Sequence, residues 1–265
     1  MFQDKVIIVT GASEGIGRAL CLALALQKPK LVLAARNENR LNELKAEIES
    51  KGAQALVVPT DVSREDSCRK LIEKTIDHWD RLDVLVNNAG RTMWTTLEQI
   101  TDTSIIEQIM RINYLGAAYC TYYALPYLKQ SKGRIAAVSS MAGLTGVPTR
   151  TAYCASKHAM FGFFDALRVE LMDSGVTVTM IAPDFVLSEI HRRAFAGDGS
   201  PLGESPVQEE KIMTAEECAA GIVEALENRK RMLIMSGRGK VGRWIKLIAP
   251  GLIDRMAQKA IREAK

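Results

Sequence analysis

Three side chains near the middle of the chain are of types that could together handle the oxygen of one carbonyl group. The stretch from Arg134 to Lys157 reads RIAAVSSMAGLTGVPTRTAYCASK. The apolar, β-rich run Ile135–Val138 is expected to form a buried strand whose end carries Ser139 and Ser140 to the rim of a sheet. After a Gly- and Pro-bearing loop a helical pattern begins, in which Tyr153 and Lys157 are four residues apart and therefore share a face. A free phenol titrates near about 10, too high for ready proton exchange at neutrality, and a cation within ~4–6 Å favours the phenolate and lowers that value. Lys157 is spaced to be that cation, Tyr153 to be the general acid or base, and Ser140 to hydrogen-bond the substrate oxygen. Taken alone, Tyr-x-x-x-Lys is equally an exposed helical pair, so the elements that would position these groups decide the matter.

The first such element opens the chain. Val6–Thr10 is an apolar, β-branched run that leads directly into Gly11-Ala12-Ser13-Glu14-Gly15-Ile16-Gly17 and a helical stretch, Arg18–Gln27. Strand, glycine turn and helix in that order suit a pyrophosphate, because glycines let the backbone approach and a helix N-terminus offers free N–H groups and a positive dipole end. The glycine spacing is T-G-x-x-x-G-I-G rather than the dinucleotide fingerprint G-x-G-x-x-G.

With Asn87-Asn88-Ala89-Gly90, Asn113, Ser140, Tyr153…Lys157 and Ala182-Pro183 following in order, the sequence resembles the short-chain dehydrogenase/reductase family up to about Met235. The resemblance implies a doubly wound, Rossmann-like α/β sheet of about seven parallel strands with helices on both faces. It also implies hydride transfer between a nicotinamide C4 and a ketone or secondary-alcohol carbon. In the family the serine lies thirteen residues before the tyrosine, which selects Ser140 and leaves Ser139 as a structural neighbour. Ser140 would then polarise the oxygen, Tyr153 exchange the proton, Lys157 acidify Tyr153 and hold the ribose, and Asn113 bend its helix and hold a water on the proton path. The cofactor would lie on Gly11, Ser13, Glu14, Gly15, Ile16 and Gly17. Asp61 and Val62 would border the adenine, Asn88-Ala89-Gly90 the ribose, and Pro183, Val186 and Ser188 the nicotinamide.

Cofactor preference is read at the end of the second strand, Leu31–Ala35. A carboxylate there would bind a ribose 2′-hydroxyl, and a cation a 2′-phosphate. Ala35 takes the usual acidic position and Arg36 follows it, so NADP(H) is favoured over NAD(H), the alternative being that Arg36 is only a solvated loop cation. Glu14 stands where many NADP-preferring relatives place a second cation.

Further along, Leu41–Ser50 is expected to be helical, Gln54–Pro59 the third strand, and Asp83–Val86 the fourth. Asp61 and Ser63 also suit the N-cap of the helix that follows them. A long helix is expected over Thr101–Lys129, with Asn113 in its middle and Pro126 kinking or stopping its last turn. The helix Ala152–Met172 carries a surplus of Met160, Phe161, Phe163, Phe164 and Leu167. This fits either a subunit interface of a homodimer or homotetramer, as in relatives, or burial against the sheet. Val176–Ile181 is the sixth strand, and after it Asp184 and Ser188 replace the glycine and threonine usual in the family. The polar, Gly- and Pro-punctuated segment over about 184–212 has the composition of a lid. Substrate contacts are expected from Thr92, Met93, Trp94, Val147, Phe185 and Phe195. These are mostly apolar and suit a lipophilic ketone or alcohol, steroid-like or acyl-chain.

Composition narrows the class. The 265 residues are 47% hydrophobic and 25% charged, which fits one globular domain over 1–235 with a short extension, 236–265. Five cysteines without a C-x-x-C pair argue against a disulfide framework or zinc site and for a reducing, cytoplasmic setting. The histidines, His78, His158 and His191, lack ligand spacing, so no metal is expected. No export signal or membrane span is read from the chain. Eight of the 35 Lys/Arg and two of the 31 Asp/Glu fall in 236–265, so the extension carries +6 and the rest of the chain −2. There Trp244, Ile245, Leu247, Ile248, Leu252, Ile253 and Met256 alternate with cations, and Pro250-Gly251 divides two short helices. That pattern fits an amphipathic element lying on an anionic membrane, or a tail packed on its own or a partner subunit. No recognition motif or stacking platform for nucleic acid accompanies the basic residues. The same fold could also carry a non-catalytic NADP(H) sensor or scaffold. That function would leave the tyrosine and lysine dispensable, and both are present.

Overall fold

The computed structural model describes residues 1–207 and 212–263, the last five of these by backbone alone. Residues 208–211 of the expected lid and 264–265 of the extension lie outside the described residues. Seven strands form one sheet: β1 (Val6–Thr10), β2 (Lys30–Ala35), β3 (Gln54–Pro59), β4 (Val84–Asn87), β5 (Arg134–Val138), β6 (Thr177–Ala182) and β7 (Met232–Ile234). Their order is β3-β2-β1-β4-β5-β6-β7, and every pairing is parallel. A parallel sheet is covered on both faces, which is why β1 and β5 read as continuous apolar runs.

Side chains alternate between the two faces, and the helices divide accordingly. Ile7 and Val9 join Leu20 and Leu24 of α1 (Gly15–Ala25), Leu41 and Leu44 of α2 (Glu38–Ser50), and Ile222 and Leu226 of α7 (Ala215–Glu227) in one core. Val6 and Ile8 join Leu71 of α3 (Glu65–Trp79), Leu128 of α5 (Gly116–Ser131) and Phe164 of α6 (Thr151–Glu170) in the other. Successive strands step away from β1 on one side as far as β3, and β4 starts the other side. The sheet therefore reverses between β1 and β4, and a crevice opens beyond the carboxyl ends of the strands at that point.

One expected boundary is corrected. The first helix begins at Gly15, inside the glycine turn, and not at Arg18. The long helical region expected over Thr101–Lys129 runs from Ser104 to Ser131 as α4 (Ser104–Met110), a π-helical turn, Arg111–Leu115, that contains Asn113, and α5. Pro126, expected to kink or stop the last turn, lies inside α5, which runs on to Ser131. The apolar surplus of α6 is mostly consumed within the chain, because Met160, Phe161, Phe164 and Leu167 are buried in the sheet's core.

Beyond β7 the chain forms α8 (Gly237–Ile248) and α9 (Pro250–Glu263), separated at Ala249 as the Pro250-Gly251 pair implied. α8 is fastened back onto the loops at the sheet's carboxyl edge. Arg238 grips Asp184 through Nε and Nη2 at 2.7 and 2.8 Å, and Lys246 donates to the Leu144 carbonyl at 2.8 Å. Trp244, Leu247, Ile248 and Met256 remain more than half exposed.

Candidate active site

The crevice at the switch point is a cleft of about 770 Å³. Its floor is set by Thr10, the last residue of β1. Thr10 Oγ1 donates to the Val86 carbonyl and accepts from the backbone amides of Asn88 and Ala89, locking the turn after β4 against the turn after β1. Asn88 completes the lock by donating its carboxamide nitrogen to the Thr10 and Gly11 carbonyls at 2.9 and 3.3 Å. Gly11 has φ +67°, and a Cβ there would stand 2.9 Å from the Ala89 Cα, so both backbone conformation and the close approach of the two turns require glycine.

The glycine turn is shaped for an anion. α1 opens at Gly15 with no acidic residue in its first turn, leaving its N–H groups and dipole toward the cleft. Glu14, the one nearby carboxylate in the turn, is held by Arg40 and Arg193 at 2.7 Å each. Gly11, Ser13, Glu14, Gly15, Ile16, Arg36, Asp61, Val62, Asn88, Ala89, Gly90, Pro183, Val186 and Ser188 all line the cleft. Gly17 does not; it is buried behind the wall, against Asn88.

The reactive groups gather where β5 ends. Ser140 leaves β5 in extended conformation and caps a short helical turn, Met141–Gly143, by accepting from the Ala142 amide at 3.1 Å. Ser139 bonds only backbone, donating to the Lys157 carbonyl at 3.1 Å, as a structural neighbour would. Tyr153, in the first turn of α6, is buried and faces the cleft close enough to Ser140 for that hydroxyl to act on its phenol. Lys157 lies one turn on, 3% exposed, with Nζ donating to the Val138 carbonyl at 2.9 Å and 5.7 Å from the Tyr153 ring centroid. Gly90 separates it from Asn113: a Cβ at Gly90 would lie 3.6 Å from Lys157 Nζ and 3.3 Å from Asn113 Oδ1.

Electrostatics depart from the simple expectation. Burial raises the Tyr153 phenol above its ordinary value, and the nearby Ser140 hydroxyl and Arg150 cation pull it back only in part. Lys157 is not the group that lowers it, because burial brings the amine itself down to about 7 and its nitrogen is engaged with Val138. Asn113 likewise has its carboxamide occupied. It accepts from the Arg91 amide at 2.7 Å and donates to the Arg91 carbonyl and Ser156 at 2.9 Å, so it pins the turn after β4 to the π-helical turn.

The expected substrate wall separates into two layers. Val147 and Phe185 line the cleft. Thr92, Met93 and Phe195 are buried outside it, with Met93 and Phe195 paired in a bridge and packed on Ile105 and Ile109. Trp94 stands behind Arg150, whose guanidinium lies 4.0 Å from its ring centroid. Sequence reasoning missed four arginines of the lining, Arg40, Arg91, Arg150 and Arg193. None sits in a motif, and only Arg150, three residues before the tyrosine and so one turn away, carried a positional signal.

A doubly wound sheet with a glycine turn at its switch point defines a nucleotide-binding α/β protein. The sequence model of the family described as short chain dehydrogenase matches residues 5–198. The chain is 34% identical over 264 residues to the dehydrogenase/reductase SDR family protein 7-like of Dictyostelium discoideum, covering 97% of this chain and 82% of that one. It is 36% identical over 258 residues to the 11-beta-hydroxysteroid dehydrogenase 1A of Arabidopsis thaliana, covering 94% and 73%. Among solved structures it matches an alcohol dehydrogenase from Thermococcus sibiricus complexed with 5-hydroxy-NADP, with TM-score 0.75, 25% identity and 87% and 95% of the two chains covered. It also shares the fold of a short chain dehydrogenase/reductase from Burkholderia phymatum in complex with NAD, with TM-score 0.84, 23% identity and 95% of each chain covered. The chain belongs to the short-chain dehydrogenase/reductase family and is an oxidoreductase of that family.

The Lys157 amine has a stability signature. With its value near 7 when folded and 10.5 as the ordinary one, the unfolded chain binds the proton more tightly between them. Its burial therefore destabilises the fold fully below pH ~7, and that cost declines toward pH ~10.5. Lys157→Met removes it and leaves the Val138 carbonyl without its donor, an offset that does not vary with pH. The melting-temperature difference between variant and parent should favour the variant most near pH ~6–7 and shrink steadily as pH rises. A flat difference across that range in thermal unfolding would show that the buried amine does not titrate there.

Proposed function

We propose that the protein interconverts a ketone and a secondary alcohol on a lipophilic substrate, with NADP(H) as redox partner. The observation that carries this reading is the gathering of Ser140, Tyr153 and the buried Lys157 amine, 5.7 Å from the tyrosine ring centroid, in the cleft that the glycine turn opens. When bound, the nicotinamide cofactor supplies or accepts the hydride. Ser140 donates a hydrogen bond to the substrate oxygen and fixes its position. Tyr153 gives its phenolic proton to that oxygen in reduction and takes it back in oxidation. Its burial keeps it protonated at neutrality, as a donor requires. Lys157, near 7, exchanges a proton within the working pH range and so restores the tyrosine. Asn113 keeps the turn beside Lys157 in place and maintains the water relay that extends from the amine.

Three features support NADP(H) over NAD(H). Arg36 is exposed at the end of β2 and has no carboxylate partner among the described residues. Arg91 and Arg193 lie close enough that Arg36 and Arg193 depress the Arg91 guanidinium, after burial. Glu14, which would repel a phosphate, is neutralised by Arg40 and Arg193. The apolar lining at Met141, Val147 and Phe185 supports a steroid-like or acyl-chain carbonyl compound, as does similarity to plant 11-beta-hydroxysteroid dehydrogenases.

Two surfaces suggest how the enzyme is placed. Tyr122 on α5, with Val169 and Met172 at the end of α6, keeps apolar surface exposed where subunits of a homodimer or homotetramer would pair. Residues 236–265 would act as an extension of the 1–235 domain, with Trp244, Leu247 and Ile248 resting on an anionic membrane. No helix of the described residues is long and apolar enough to cross one.

Tyr153→Phe should lower NADPH oxidation with a panel of hydrophobic ketones by roughly 10²–10⁴-fold while NADPH still binds; parent-like rates would reject Tyr153 as the proton donor. Arg36→Ala should weaken NADPH by about 10–100-fold in fluorescence titration and NADH by under about twofold, since an arginine–phosphate contact is worth about 1.5–3 kcal/mol. An equal loss of both would remove the basis for the preference. Trp244→Ser combined with Ile248→Ser should reduce co-sedimentation with vesicles rich in anionic lipid severalfold and leave NADPH binding alone. Unchanged sedimentation would assign that face to packing between chains.

A further inference from the structure

Arg150 lies in the same cleft and the proton-transfer scheme does not use it. It caps α6 one turn before Tyr153, is 6% exposed and lines the cleft. Its guanidinium carbon lies 4.0 Å from the Trp94 ring centroid and 4.9 Å from that of Phe185. Two of its nitrogens, Nε and Nη2, are buried without a hydrogen-bond partner among the described residues. A cation shut away from water and unpaired is unfavourable unless some acceptor meets it, and aromatic stacking satisfies none of its donors. The groups that act on it electrostatically are Tyr153 and Cys154, both raised by burial and so protonated at neutrality.

The orphan edge has a usual occupant in this protein. Arg64, Arg81 and Arg238 each turn the same Nε/Nη2 edge onto a carboxylate, those of Asp66, Asp83 and Asp184. No carboxylate of the cleft lining serves Arg150. Glu14 is committed to Arg40 and Arg193, Asp184 to Arg238, Asp61 to Ser63, and Glu189 to Arg192. Stacking and in-plane pairing are compatible, because rings cover the faces of a guanidinium and leave its edge to bind a carboxylate in two-point fashion.

The geometry points to Arg150 as the seat of a carboxylate carried by the substrate. This deepens the oxidoreductase reading and rests on it. Residues one turn apart on a helix are separated by about 5–6 Å at their Cβ atoms, so an oxygen held by Ser140 and Tyr153 and a carboxylate held by Arg150 belong to one molecule with a few bonds between them. The substrate class is therefore an oxo acid or its hydroxy acid, with an apolar remainder lying along Met141, Val147 and Phe185.

The test uses the full chain with NADP⁺ present and two probes, 4-oxo-4-phenylbutanoate and its methyl ester, titrated calorimetrically. The parent should bind the acid at least tenfold more tightly than the ester. Arg150→Gln should raise the Kd of the acid at least tenfold more than that of the ester, and Arg150→Lys, which keeps the charge without the fork, should do so to a smaller extent. If Arg150→Gln does not fold, Arg150→Lys decides: a loss of affinity for the acid greater than that for the ester supports the assignment, and equal losses overturn it. Equal affinities of acid and ester in the parent, binding of neither, or equal losses for both in the variants overturn the assignment. Turnover of the same probes with NADPH separates the two readings. A preference for the acid without turnover keeps the Arg150 site and rejects the redox role, whereas turnover without a preference does the reverse.

Discussion

A buried ammonium organises this cleft. Lys157 is 3% exposed, and an amine placed there must find acceptors inside the fold. It finds the Val138 carbonyl at the end of β5, while its own carbonyl accepts from Ser139 on the same strand end. Both polar ends of one residue are thus tied to β5, which sets the height and rotation of α6 against the sheet. Ser140, next along from that anchor, and Tyr153, one turn before Lys157, are brought to the same cleft as a consequence. Residual strain from burying the amine appears as its depressed affinity for a proton rather than as a distorted helix.

Around that anchor, charge is arranged with little left over on the acidic side. Glu14 is gripped by a cation 26 residues away and by another 179 residues away. Burial pushes the Asp184 carboxyl up, but Arg238 and Ser236 outweigh it and hold it below its ordinary value, so it stays ionised and paired. What faces the cleft after these pairings is cationic: Arg36 at the end of β2, Arg91 after β4 and Arg150 at the head of α6. A cleft of that sign beside a bare helix N-terminus favours phosphorylated and carboxylated ligands at its two ends. The apolar wall lies between them.

The extension after β7 also belongs to this arrangement. Arg238 and Lys246 bind it to the loops that follow β6 and β5, the two loops nearest the reactive groups. Asp184, a departure from the family's glycine, is accommodated because its carboxylate points to α8. Changes in what α8 and α9 touch would therefore be felt at Asp184, one residue from Phe185 in the wall.

Much of this was readable from residues in order. The strands followed from β-branched apolar runs, the glycine turn from its spacing, and the grouping of Ser140, Tyr153 and Lys157 from helical periodicity and strand ends, because each depends on interactions within a few residues. The π-helical turn at Asn113 was only half legible. An asparagine inside a helical pattern signals some departure, but whether it becomes a bend or a π-helical turn depends on Arg91 and Ser156, which the turn must reach. Met93 and Phe195, apolar and close to the motifs in sequence, went into a satellite core, since which face of a loop meets a cleft is decided by what packs behind it. The sequence by itself determined the apolar strand runs, the nucleotide turn and the candidates for proton handling. Only tertiary structure decided their charge states and the fate of each isolated ion. Those are set by burial and by partners up to 179 residues away, and neither has any signature along the chain.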